Sequence, residues 1–113
     1  DGDSALVALL RSQERLSVPT IVLGEYRFGL EQSRHRRALT TLLDELETHS
    51  IVLAVDAETA RHYAKVRTQL KRSGTPIPEN DVWIAALAKQ HAAPVVTRDA
   101  HFDHVERLQR LSW

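Results

Sequence analysis

Residues 79–102 read ENDVWIAALAKQHAAPVVTRDAHF: an apolar helix from about Asp81 to His91, a turn, the strand PVVT, and a second acid, Asp99. Eleven helical residues advance about 16 Å. The strand over residues 94–98 returns about 15 Å, so Asp99 comes back level with Asp81. That level is the carboxyl edge of a sheet, where open α/β folds place their ligands. Ala85 and Ala88 lie on the same side of the helix as Asp81, and their small side chains let the backbone pack close to a sheet.

Working outward, the pattern alternates. Residues 3–12, DSALVALLRS, read as a helix capped by Asp3 or Ser4, with Leu6, Leu9 and Leu10 on one face. LSVP follows as a short strand. Thr20 is a candidate N-cap for the helix IVLGEYRFGLEQ, and Ser33 for another from about Arg34 to His49, with Leu39, Leu42, Leu43 and Leu46 inward. The run IVLAV, residues 51–55, has the character of a strand buried on both faces. Asp56 caps the next helix, which carries Tyr63, Val66 and Leu70 on one stripe and Arg61, Lys65 and Arg72 on another. GTPIPEN breaks that helix, and a last short strand falls near RLQRLSW. Strands alternating with helices predict an α/β fold: a mostly parallel central sheet covered on both faces, in one domain over residues 1–113.

Composition narrows the function. The 113 residues suit one hydrophobic core, and with 42% hydrophobic but only 5% aromatic residues that core is mainly Leu, Val, Ile and Ala. Fifteen basic and fifteen acidic residues cancel, so net charge names no partner. The absence of cysteine excludes disulfides, thiolate metal sites and cysteine nucleophiles. No apolar stretch approaches the roughly 20 residues of a membrane span, and the expectation is a cytoplasmic protein. Methionine is absent too, so the first residue is read as an internal one of a longer protein.

A third acid, Glu25, interrupts the apolar segment VLGEYRFG and shares a helix face with Ile21, Val22 and Gly29, which predicts that it points inward. Taken singly, Asp81 reads equally as a helix cap and Asp99 as a turn residue. Glu25 is too far along its helix to cap it, and Arg27 is on the wrong side to pair with it. Together the three acids favour a shared site whose mutual repulsion calls for a divalent cation. Thr97 adds a hydroxyl. His101 and His104 have helical ligand spacing, but no third nitrogen ligand stands at a diagnostic distance, which argues against a histidine metal site.

In this order and combination, LSVPTIVLGEYRFGLEQSR, ENDVWIAA and VVTRDAHF resemble the PIN-domain nucleases, specifically the VapC-type toxins of toxin–antitoxin pairs, over nearly the whole chain. The resemblance implies a three-layer α/β/α fold and Mg²⁺- or Mn²⁺-dependent cleavage of RNA. It also implies homodimerisation and inhibition by a cognate antitoxin protein. Glu25, Asp81 and Asp99 match three of the family's four acids as catalytic, metal-binding residues. RNA requires cations outside an acidic pocket: Arg98 and Arg27 flank two of the acids, residues 60–73 hold five Lys or Arg and no acid, and Arg34, Arg36 and Arg37 form a second cluster.

The fourth acid is where the chain departs from the family pattern. Family members open with an apolar strand ending in Asp, and nothing apolar precedes Asp1 or Asp3; only 22 positions separate Asp3 from Glu25. The expectation is that the first strand and its acid lie upstream of Asp1, with Asp1 or Asp3 as a substitute in the alternative. Two rivals stand beside the nuclease. Asp1-Gly2-Asp3 resembles the acid pair of aspartate-nucleophile phosphatases, and a chain lacking one acid is also readable as a non-catalytic binding module.

Overall fold

The computed structural model describes residues 16–112. The expected helix over residues 3–12, its caps Asp3 and Ser4, and the candidate acids Asp1 and Asp3 lie outside them. In chain order the elements are β1 (Ser17–Pro19), α1 (Thr20–Glu31), α2 (Arg36–His49), β2 (Ile51–Leu53), α3 (Ala57–Ser73), α4 (Glu79–Gln90), β3 (Val95–Val96), a 3₁₀ turn (Ala100–His104) and β4 (Arg110–Leu111). β1 pairs parallel with β2, Val18 opposite Val52, and β3 pairs parallel with β4, Val95 opposite Arg110. Among the described residues the strands form two parallel two-stranded sheets, within the three-layer α/β/α arrangement. No helix among the described residues is long and apolar enough to cross a membrane.

Helix α4 is the centre of the molecule. Val82, Ile84, Ala85, Ala86, Leu87 and Ala88 are all buried, so it is enclosed on nearly every side. One cluster joins Val82, Ile84, Ala85 and Ala88 to Val66 and Leu70 of α3, to Val95, Phe102 and Val105, and to Ile21 and Val22 of α1. A second gathers Val18, Leu23 and Leu43, with Val22, Leu30 and Leu46 against it. Val22 touches both clusters, which fixes α1 against α4 on one side and α2 on the other.

Helix α3 holds its place as its sequence predicts. Asp56 accepts from the Thr59 amide at 3.0 Å while the Thr59 hydroxyl receives the Asp56 amide, a reciprocal cap. Gln90 at the far end of α4 donates to Asp56 at 3.1 Å, so one cap ties two helices. Gly74, at φ 68°, closes α3 in the left-handed conformation that glycine adopts without steric cost. Tyr63 stacks on Trp83 with ring centroids 4.0 Å apart, adding an aromatic contact between α3 and α4.

Several local expectations are corrected. Thr20 is not an N-cap: α1 starts at Thr20 after Pro19, and the Thr20 hydroxyl donates to the Leu53 carbonyl at 3.0 Å, pinning the helix start to the end of β2. Ser33 does not cap α2 either. Its hydroxyl accepts from the His35 amide in a turn, and the helix begins at Arg36. Leu43 is buried, but Leu39 and Leu42 are exposed, at 38% and 62%. Leu42 lies about 100° round the helix from Leu43, outside the stripe that α1 covers. The strand expected over 51–55 is three residues long and only Leu53 is buried; Ile51, Val52 and Val55 are exposed. Among the described residues β2 has β1 as its one strand neighbour.

Leu70, 2% exposed, fills the seam between α3 and α4. Its replacement by alanine is expected to cost about 2–5 kcal/mol of folding stability, read as a lowered urea midpoint with unchanged slope.

Candidate metal centre

Asp81 is the third residue of α4. Pro78 precedes the helix and no side chain caps it; the Asp81 amide donates to the Pro78 carbonyl at 3.0 Å while its carboxyl group is turned away from any capping bond. The reading of Asp81 as the helix cap is therefore corrected. The burial of Val82, Ile84 and Ala85 just beyond it fixes the rotation of the helix, and that rotation aims Asp81 at the carboxyl end of β3.

Asp99 reaches the same place from the loop after β3. Its carboxylate accepts from the His101 amide at 2.9 Å and so caps the 3₁₀ turn. Its amide donates to the Thr97 hydroxyl at 3.0 Å, and the Thr97 amide in turn bonds the Leu111 carbonyl of β4. Arg110 supports the far side of the turn through a two-pronged pair with Asp103, 2.7 and 2.9 Å, and reaches the Thr97 carbonyl at 3.3 Å. That pairing holds the Asp103 carboxyl below the usual carboxylate range. Asp99 is thus both a turn residue and a member of the site.

Asp81, Asp99 and His101 each present a ligand atom within 4.8 Å of the other two. The expected meeting of Asp81 and Asp99 is what the structure shows. Burial pushes the Asp81 carboxyl above the ordinary aspartate range, and repulsion from Asp99 adds to it; His101 opposes the shift. Asp81 also stands in the first turn of α4, where a helix favours negative charge. Burial and repulsion prevail over that preference. Two carboxylates and an imidazole at this spacing form a donor set for one divalent cation, and the charge that Asp81 resists carrying alone is what such a cation offsets. The residues present fit a metal.

Other expected site residues are placed differently. Glu25 does not point inward: it is exposed and stands outside the Asp81–Asp99–His101 group. It does share the helix face of Ile21 and Val22, which pack on the α4 core, one turn further along at the rim. Burying a third unpaired carboxylate there would be costly, which accounts for its exposure. Arg27, read as a substrate contact, is engaged by Asp44 at 2.9 Å and Glu47 at 3.3 Å, and so ties α1 to α2. Those pairs raise its pKa further. Thr97 positions Asp99 through its hydroxyl, and Arg98 is exposed between them.

His101 is the residue that sequence reasoning missed; among the described residues His104 is not part of the group. The usable signal was the Asp99-x-His101 spacing. An aspartate that caps a turn bonds the amide two residues on, which draws that residue's side chain beside its own carboxylate.

Residues 1–108 match the family model described as PIN domain. The chain is 34% identical over 95 residues to Ribonuclease VapC5 of Mycobacterium tuberculosis, covering 79% of this chain and 67% of that protein. It is 34% identical over 107 residues to VapC ribonuclease Y4jK of Sinorhizobium fredii, covering 88% and 76%. Its fold superposes on the VapBC2 structure from Rickettsia felis, bound to a DNA fragment from its promoter, with a TM-score of 0.83 at 25% identity over 100% of this chain and 86% of that one. The acidic edge between α4 and β3 thus sits in a fold and a sequence that agree, and the chain belongs to the PIN-domain family, on its branch of VapC-type ribonucleases of toxin–antitoxin pairs.

Proposed function

We propose that this chain is a divalent-metal-dependent endoribonuclease, the toxin of a toxin–antitoxin pair, and that it hydrolyses RNA phosphodiester bonds at the Asp81–Asp99 edge with Mg²⁺ or Mn²⁺. The observation that carries the reading is the convergence of two carboxylates from separate elements with a ring nitrogen, all within 4.8 Å. When bound, such a cation supplies an attacking water of lowered pKa and offsets charge developing on the phosphate. Asp81 and Asp99 hold it. Glu25 acts from the rim, through water, and the exposed Arg98 beside Asp99 meets the phosphate. Arg61, Lys65 and Arg72, exposed together on α3, offer a track for the RNA backbone.

The partners proposed are RNA, a cognate antitoxin and a second copy of the chain. Exposed Tyr26 and Phe28 on α1 and Leu42 on α2 supply apolar surface for protein contact, at 59%, 68% and 62% exposure. The phosphatase reading rested on Asp1 and Asp3, which lie outside the described residues, and the non-catalytic reading is tested with the nuclease.

Incubation of a single-stranded RNA with the protein and Mg²⁺ is expected to give cleavage that EDTA abolishes, and Asp81→Asn is expected to reduce the rate at least about a hundredfold, beyond what loss of an outer-shell partner usually costs. Intact RNA with wild-type protein would favour the binding module. Release of phosphate from a monoester would favour the phosphatase.

The raised Asp81 pKa has a signed consequence. The folded state prefers the protonated acid, so the stability it contributes is complete below about pH 3.9 and is lost as pH rises through the raised folded value. In EDTA at neutral pH, Asp81→Asn is therefore expected to melt at or above wild type, and the advantage is expected to vanish in acid. A melting point well below wild type at neutral pH would assign Asp81 a structural task instead.

Glu25→Gln is expected to leave the metal-free melting temperature unchanged and to lower cleavage less than Asp81→Asn does. An unchanged cleavage rate would remove Glu25 from the site.

A further inference from the structure

His101 needs an explanation that the family's acids do not give. Its Nδ1 lies 2.9 Å from one Asp99 oxygen and 3.1 Å from the other. Asp99 does not require that contact for its orientation, because the His101 amide and the Thr97 hydroxyl already fix its carboxylate and its backbone. The separation has a simple meaning in coordination geometry: two adjacent donors on an octahedral ion with bonds of about 2.1 Å stand roughly 3.0 Å apart. In the metal-free chain this contact is a hydrogen-bonded pair, and a cation that displaces the shared proton finds Nδ1 and the nearer Asp99 oxygen already spaced as neighbouring vertices of one such octahedron. Asp81 supplies a third donor within the same 4.8 Å group. His101 and Asp99 are each about half exposed, so an ion reaches them from solvent.

We propose that His101 is a direct ligand of the cation at this site, its Nδ1 joining carboxylate oxygens of Asp81 and Asp99 in a mixed nitrogen–oxygen set. The inference rests on the metal-site reading given above and goes beyond it in naming the donor and the preference it creates. An all-oxygen site suits Mg²⁺, whereas an imidazole adds affinity for transition ions along the series from Mn²⁺ through Co²⁺ and Ni²⁺. The site therefore binds Co²⁺ more tightly than Mg²⁺, and His101 widens that difference beyond what the two carboxylates give.

Calorimetric titration of the full chain with Mg²⁺ and with Co²⁺ tests this, alongside proton NMR of the Co²⁺-loaded protein for a strongly shifted exchangeable imidazole N–H. Wild type is expected to show that resonance. His101→Ala is expected to lose it, and to lose at least about tenfold in Co²⁺ affinity while Mg²⁺ affinity changes far less; an unchanged metal-free melting temperature controls for the fold. Equal losses for both ions would overturn the proposal and make His101 a positioning residue for Asp99. So would Co²⁺ binding without a shifted imidazole signal, provided that Asp81→Asn binds neither ion, which would leave the site standing without its histidine. Wild-type protein that takes up neither ion overturns the site and the inference together.

Discussion

A helix buried on nearly every side cannot rotate, and the position of everything chemical in this molecule depends on that. α4 is locked by Ala85, Ala86, Leu87 and Ala88, whose small or fully enclosed side chains leave no space for adjustment. Asp81, one turn before them, has its direction chosen by apolar packing rather than by any polar bond of its own. Val66 and Leu70 of α3, Ile21 and Val22 of α1, and Val95 of β3 all press on the same helix. The stability of the core and the aim of the carboxylate are therefore one property.

The opposite side of the site is built on another principle. β3 and β4 are two residues each, too short to fix a loop by sheet pairing alone. Hydrogen bonds do it: Thr97 holds the Asp99 amide, Asp99 caps the 3₁₀ turn, and Arg110 grips Asp103 at the turn's far end. Phe102 and Val105, both buried, anchor the turn to the core from below. Rigid packing thus presents one acid and a polar loop presents the other.

The contrast explains what the sequence disclosed. The α4–β3 pairing was legible because helix rise and strand rise are fixed, so counting residues places Asp81 and Asp99 at one level. Capping by Asp56 and the break at Gly74 were legible because those residue types have strong local preferences. Glu25 keeps the helix face its spacing gives, but its place along α1 sets it a turn past the apolar contacts with α4, where a side chain meets solvent and does not point inward. Leu42 failed for a related reason, since periodicity gives an arc of a helix and not how much of that arc a neighbour covers. Histidine spacing alone does not reveal His101, because its partner is the carboxylate two residues before it and not a second histidine.

The half-exposed setting of the cluster follows from competing electrostatic demands. Full burial would drive both carboxylates to hold protons, since their desolvation and mutual repulsion would add, and a protonated acid is a poor ligand. Full exposure would leave water to compete with them for the cation and would screen the attraction that draws it in. Asp81, partly buried, is already pushed upward by burial and by Asp99. Asp99 and His101 sit further out, each about half exposed, where an ion reaches them from solvent. The gradient from α4 outward keeps a pair of like charges together in the folded chain while leaving a counter-charge the strongest remaining means of relieving them.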